Sequence, residues 1–144
     1  MNWIKTEYSE VRRYKNNTLI FLTWDEPEST EQILKYEIGG KIVAFIRLSV
    51  DPKDNESIWI DEFEVLIPFR KQGIGKKSIS DLLVNTEVDI KLLAKNASVQ
   101  KFWEKCGFVD DGITIWEIPM IYKTTKFKHW EVEARLYINE RENN

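Results

Sequence analysis
The chain has 144 residues, 42% of them hydrophobic and 31% charged, with a formal net charge of −3. One domain with a full core fits this length and two would be cramped, while the acidic balance offers no general attraction to nucleic acid or an anionic membrane. A single cysteine, Cys106, and a single histidine, His129, exclude an internal disulfide, a thiolate metal cage and most histidine-based hydrolysis. No metal is therefore expected, and any proton transfer falls to carboxylates, tyrosines or water. No apolar run approaches the roughly 20 residues of a spanning helix. The start "MNWIKTEYSE" lacks the pattern of a signal peptide, so a reducing cytoplasm is the expected compartment.

In chain order, "EYSEVRRYKN" reads as a short helix and "TLIFLTW" (Thr18 to Trp24) as a buried strand. "DEPESTEQ" is a polar loop or the capped start of a helix. "ILKYEIGGKIVAFIRLSV" reads as two strands joined at Gly39-Gly40, because two residues that accept positive φ make a type I′ hairpin turn. After the solvated turn "DPKDNES" comes the strand "IWIDEFEVLI", then a turn with two glycines, then a helix with Ile79, Leu82 and Leu83 at i, i+3, i+4. "VDIKLLA" is a continuous apolar run, expected as a central strand covered on both faces. "NASVQKFWEKC" is a second helix, capped by Asn96, with Val99, Phe102, Trp103 and Cys106 on one stripe. "GFVDDGITIWEIPMIY" closes with two strands turned near "DDG", and "HWEVEARLYI" alternates as an edge strand that suits a homodimer interface. The pattern predicts one α/β domain over residues 1–144: a mixed sheet of antiparallel hairpins followed by strand–helix–strand–helix–strand.

The chemistry concentrates at "RKQGIGK", Arg70 to Lys76. Gly73 and Gly75 permit a tight turn and leave no side chain between backbone amides and a ligand. The first amides of the following helix carry part of its dipole, and Arg70, Lys71, Lys76 and Lys77 add positive charge. A pyrophosphate fits this setting, as does a plain strand–helix connection with solvated lysines. No Walker loop is present, and Ser78 stands where a dinucleotide fingerprint needs its third glycine.

"VLIPFRKQGIG" resembles the R/Q-x-x-G-x-G/A acyl-CoA loop of the GCN5-related N-acetyltransferases, with Arg70, Gly73 and Gly75 at the motif positions. "NASVQKFWEKCGF" resembles the family's N-x-x-A-x-x-F-Y-x-x-x-G-F segment through Asn96, Phe102, Gly107 and Phe108. The resemblance spans roughly residues 33–122 and leaves 124–144 as an extra tail. It implies an acetyltransferase fold in which acetyl-CoA lies across a splayed parallel strand pair. The pyrophosphate would sit on amides of Gln72, Gly73, Ile74, Gly75 and Lys76, beside Arg70 and Lys71. The pantetheine arm would pair with backbone at Val65, Leu66 and Ile67, and Asn96 and Phe102 would border the cofactor's far arm. A backbone amide near Val65 would stabilise the oxyanion.

The acceptor, a small-molecule or peptide amine, must be neutral to attack the thioester, which calls for a base. Asp61 and Glu62 lie where members often carry an acidic residue. Regular alternation would send them to opposite faces, with Glu64 on the face of Glu62, and Glu62 is favoured. Members often have a tyrosine where this chain has Trp103, and indole is no proton donor at neutral pH. Tyr122 is a candidate replacement, and Trp103 at its helical spacing also reads as core. Two other functions stay open. One is a degenerate acyl-CoA-binding sensor or scaffold, supported by Trp103. The other is a nucleic-acid or partner-binding module, for which "KTTKFKHW" is the one suitable patch.

Overall fold
A computed structural model describes residues 3–20, 23–112 and 117–124. Within them seven strands form one sheet in the order β1-β2-β3-β4-β5-β7-β6. These are β1 (Trp3–Thr6), β2 (Glu31–Ile38), β3 (Lys41–Val50), β4 (Ile58–Val65), β5 (Ile90–Ala94), β6 (Val109–Asp110) and β7 (Ile118–Tyr122). The helices are α1 (Tyr8–Asn16), α2 (Ile74–Val84) and α3 (Ala97–Lys105). Every strand pairing is antiparallel except β4 with β5. Gly39 and Gly40 turn the β2–β3 hairpin with φ of 58° and 78°, the pair of positive values the sequence pattern requires.

Each face of the sheet buries its own core. Val11, Ile20, Trp24, Ile33, Phe45 and Leu66 pack together on the α1 side. On the other, Tyr36, Ile46, Ile60, Ile79, Leu82 and Leu83 pack with Trp103 and Phe108 of the α3 end. Each such side chain contributes about 1.5–3 kcal/mol by leaving water. The Trp3 indole donates to the Ser78 carbonyl at 2.8 Å, which fastens β1 to α2.

The structure corrects two expectations and adds one strand. Thr18–Ile20, Thr23 and Trp24 are turn and coil, not strand. The end of α1 is closed by Thr18 with φ 58° and by the Leu19 amide on the Tyr14 carbonyl. The apolar side chains Ile20 and Trp24 therefore serve the α1-side core instead of a ladder. Residues 3–6, which the sequence reading leaves unassigned, form β1. β5 is shorter than "VDIKLLA", and Leu93 is 44% exposed, so this strand is not covered along both faces. The alternating stretch 129–138, and with it the dimer-edge expectation, lies outside the described residues.

Candidate active site
The parallel pair β4–β5 is joined at only two positions, Ile58 with Ile90 and Trp59 with Lys91. Beyond them the strands diverge, and the opening leads to two adjoining recesses of about 270 and 480 Å³ that share Phe63, Glu64, Val99 and Trp103 as lining. The larger is bounded by Val65, Arg70, Gly75, Ser98 and Phe102. Thr23, Asp61, Glu62, Leu92 and Lys95 border the smaller.

The floor is aromatic. Phe102 stacks on Phe63 at 6.2 Å and meets Trp103 edge-on at 5.0 Å. Trp103 is buried and also packs edge-on against Phe63 and Phe108. It is thus core and recess wall at once. The Cys106 thiol belongs to a different surface beside Tyr122, and burial pushes it up to about 11, so it stays protonated.

At the turn, Gly73 precedes α2 in the left-handed conformation at φ 76°, and no side chain caps the helix. The opening amides of α2 therefore keep their donors for a ligand. Arg70 does something else. Its Nε donates to the Val65 carbonyl at 2.9 Å, and its Nη2 pairs with Glu64. Glu64, buried in turn, also accepts the Trp24 indole at 2.8 Å. Arg70 braces the end of β4.

The amides expected to meet a pantetheine arm divide. Leu66 donates to Val43 at 2.8 Å and Ile67 to Leu19 at 3.0 Å, so both are already engaged. Because the Leu66 amide points toward β3, strand alternation turns the Val65 amide toward β5 and the opening. Asn96 is spent locally, its side chain accepting the Val99 amide at 3.0 Å to cap α3. Tyr122 pairs with Ile90 at the closed end of β5 and packs by Phe108 and Gly107. It is not among the residues lining either recess.

The carboxylates hold the largest surprise. The β3–β4 register shifts between Arg47 and Leu48, pairing Arg47 with Glu62 but Leu48 with Ile60. Asp61 is the extra residue of a β-bulge, which interrupts alternation. Ile60, Phe63 and Val65 accordingly pack into the α2–α3 core, and Asp61, Glu62 and Glu64 all turn to the other side. The expectation that Asp61 and Glu62 face opposite ways is overturned by this one residue. Glu62 is engaged at both oxygens, by the Thr23 hydroxyl at 2.8 Å and by Arg47 Nε at 3.4 Å. Asp61 interacts with the Ser49 hydroxyl, and partial desolvation followed by the charge of Glu31 lifts its carboxyl above the usual range, against the pull of Ser49 and Arg47.

Two features were missed at the sequence level though the sequence holds a signal for each. Arg47 interrupts the apolar run "KIVAFIRLSV", and a cation amid core residues implies partners. The odd spacing from Ile60 to Phe63 implies a bulge.

The family model described as the acetyltransferase (GNAT) family matches residues 1–108. No curated protein matches the chain in sequence. Among solved structures, a chimera of the Vibrio cholerae spermidine N-acetyltransferase SpeG with hSSAT superposes with a TM-score of 0.68 at 14% identity, covering 87% of this chain and 98% of its own. A single-residue variant of SpeG from Vibrio cholerae reaches 0.64 at 16% identity, over 90% of this chain and 96% of its own. GCN5 of Tetrahymena reaches 0.58 at 10% identity, over 70% and 72%.

Proposed function
As the chain belongs to the acetyltransferase (GNAT) family, we propose that it is an acetyl-CoA-dependent N-acetyltransferase acting on a small cationic amine. The observation that carries this reading is the β4–β5 opening, joined at two positions only, with the uncapped glycine turn at its wide end. The thioester supplies an activated acetyl group, and the rest of the chemistry falls to this chain's own residues.

Amides from Gln72 to Lys76 at the start of α2 receive the pyrophosphate, flanked by the Lys71 and Lys76 cations. Gly75 keeps the approach clear, and Arg70 fixes the strand end from which these amides project. Asn96, by capping α3, sets the position of Phe102 at the border of the cofactor's far arm. The Val65 amide donates to the thioester carbonyl oxygen as negative charge develops there. The amine lone pair forms the new N–C bond, the C–S bond breaks, and the electron pair leaves on sulfur. A thiol of pKa about 8.5 departs without a dedicated donor, so no role is assigned to Tyr122. The amine proton passes to Asp61, which lines the recess with less of its carboxylate committed than Glu62.

For the acceptor, the carboxylates of Asp25, Glu31, Asp61 and Glu62 outnumber the neighbouring cations, Arg47 and Lys95. Such a rim favours an ammonium-bearing molecule, and structures of spermidine N-acetyltransferases share the fold. Calorimetric titration with acetyl-CoA, desulfo-CoA and ATP, followed by a thiol-release screen of an amine panel headed by spermidine, tests the reading. Binding of the first two and release with a polyamine are expected. Binding without release for any amine makes the chain an acyl-CoA sensor, and no binding overturns the assignment of the turn.

A further inference from the structure
We propose that Arg47 is a positioning residue for acetyl transfer, clasping the segment between Thr23 and Glu31 to the β4 carboxylates so that the amine meets a pre-set wall. The inference rests on the acetyl-transfer reading above. Arg47 is 4% exposed, and its guanidinium reaches three elements. Nε meets Glu62 of β4 at 3.4 Å, and Nη1 meets Glu31 of β2 at 3.5 Å. Nη2 meets both the Asp25 carboxylate at 2.9 Å and the Asp25 backbone carbonyl at 2.6 Å. Its carbon lies 5.6 Å from the centre of the Trp24 ring.

Stability alone is a weak reason for such a group, because a buried ion pair is often replaceable by apolar side chains without loss. The Asp25 side chain is 80% exposed, so its carboxylate adds little Coulomb energy. The bond to the Asp25 carbonyl is different, since it fixes the main chain of the segment. A second stitch joins the same segment to the same strand, from the Thr23 hydroxyl to Glu62 Oε2 at 2.8 Å, and Thr23 lines the recess. Glu62 is thereby held in place by donors at both oxygens, and Asp61 beside it is left to exchange a proton. The charges around Asp61 are Arg47 from β3, Glu31 from β2, Asp25 from the segment, Glu62 and Glu64 on its own strand, and Lys95 at the end of β5.

The test compares Arg47→Met, Arg47→Lys and Thr23→Val in the full chain, using acetyl-CoA with spermidine or the fastest amine of the panel. Carboxyl-carbon NMR titration of Asp61 runs in parallel. Calorimetric affinity for acetyl-CoA is expected to stay unchanged in all three. Arg47→Met should raise the amine KM about tenfold or more, the scale of one lost charged hydrogen bond. It should also move both the Asp61 midpoint and the acid limb of kcat/KM to higher pH, because a cation that favoured the ionised form is gone. Arg47→Lys should restore the midpoint but not the KM, since lysine keeps the charge without the fork. Thr23→Val should raise KM with the midpoint unmoved, and it decides the matter if Arg47→Met does not fold. Variants with wild-type KM and midpoint, whatever their Tm, overturn the clasp. A wild type that binds no acetyl-CoA or acetylates no amine overturns the enzyme reading, and the proposed role falls with it.

Discussion

At Gly75 an added Cβ would stand 3.2 Å from the Phe102 ring and 3.7 Å from Val65 Cγ2. Both side chains line the larger recess. Gly75→Val is therefore expected to lower acetyl-CoA affinity at least tenfold by calorimetry, while circular dichroism stays native. Gly73 differs, because nothing lies within 4 Å of its would-be Cβ but its φ is 76°. Gly73→Ala should keep binding and lose about 1 kcal/mol of stability to the left-handed backbone. Asp61 carries a second residue-scale expectation. Its raised folded-state pKa means that the folded protein holds this proton more tightly than the unfolded chain. The associated stability is present below the unfolded value and is lost as pH rises through the folded one. At neutral pH the ionised group opposes folding, so Asp61→Asn should raise Tm there while cutting kcat/KM roughly 100-fold or more. A Tm that falls, or turnover that survives, would remove Asp61 from the role.

The β4–β5 pair needs an anchor at its closed end, and side chains provide it. Lys91, opposite Trp59, meets Asp51 at 2.8 Å and Asp54 at 3.7 Å, and its ammonium lies 5.9 Å from the Trp59 ring centre. The Ile58 amide donates to the Asp89 carbonyl, and Lys123 meets the Asp89 carboxylate. The Lys91 ammonium, with the Lys53 amide behind it, holds the buried Asp51 carboxyl below its usual range. A depressed pKa gives stability that is present above the unfolded value and lost as pH falls through the folded one. Tm should therefore drop steeply as pH falls below the ordinary carboxylate range, and Asp51→Asn should lower Tm at neutral pH and flatten that acid limb. Elements with a local cause were legible in the sequence. Gly39-Gly40 specified the hairpin, the Ile79–Leu83 spacing specified α2, and Asn96 capped α3 as expected. Ile20 and Trp24 misled because burial rewards apolar side chains in a coil as much as in a strand. Trp3–Thr6 was too short to show a period, and it is fixed by pairing with β2.

At the scale of the whole molecule, the two cores on opposite faces of the sheet meet the recess from both sides. The α2–α3 core supplies its aromatic floor, and the α1 core brings Trp24 to Glu64 and thence to Arg70. A ligand seated there should stabilise the entire fold. Acetyl-CoA at 100 times its Kd is expected to add about 2.7 kcal/mol to unfolding, read by denaturant melts, and Gly75→Val should cut the increment at that concentration to about 1.4 kcal/mol or less. Part of the framework around the candidate site was legible before the structure. The turn and the acidic strand follow from local sequence, whereas the commitments of Arg70, Leu66, Ile67 and Glu62 depend on partners distant in the chain, at Glu64, Val43, Leu19 and Arg47. The bulge carries one more consequence, of a genetic kind. Removing codon 61 in frame would leave Ile60, Glu62 and Phe63 in unbroken alternation, a more regular strand facing the same two cores. The turn and its amides would be untouched. On the proposed reading, that deletion of three nucleotides is expected to leave acetyl-CoA binding in place and abolish transfer, with a Tm no lower than that of the full chain.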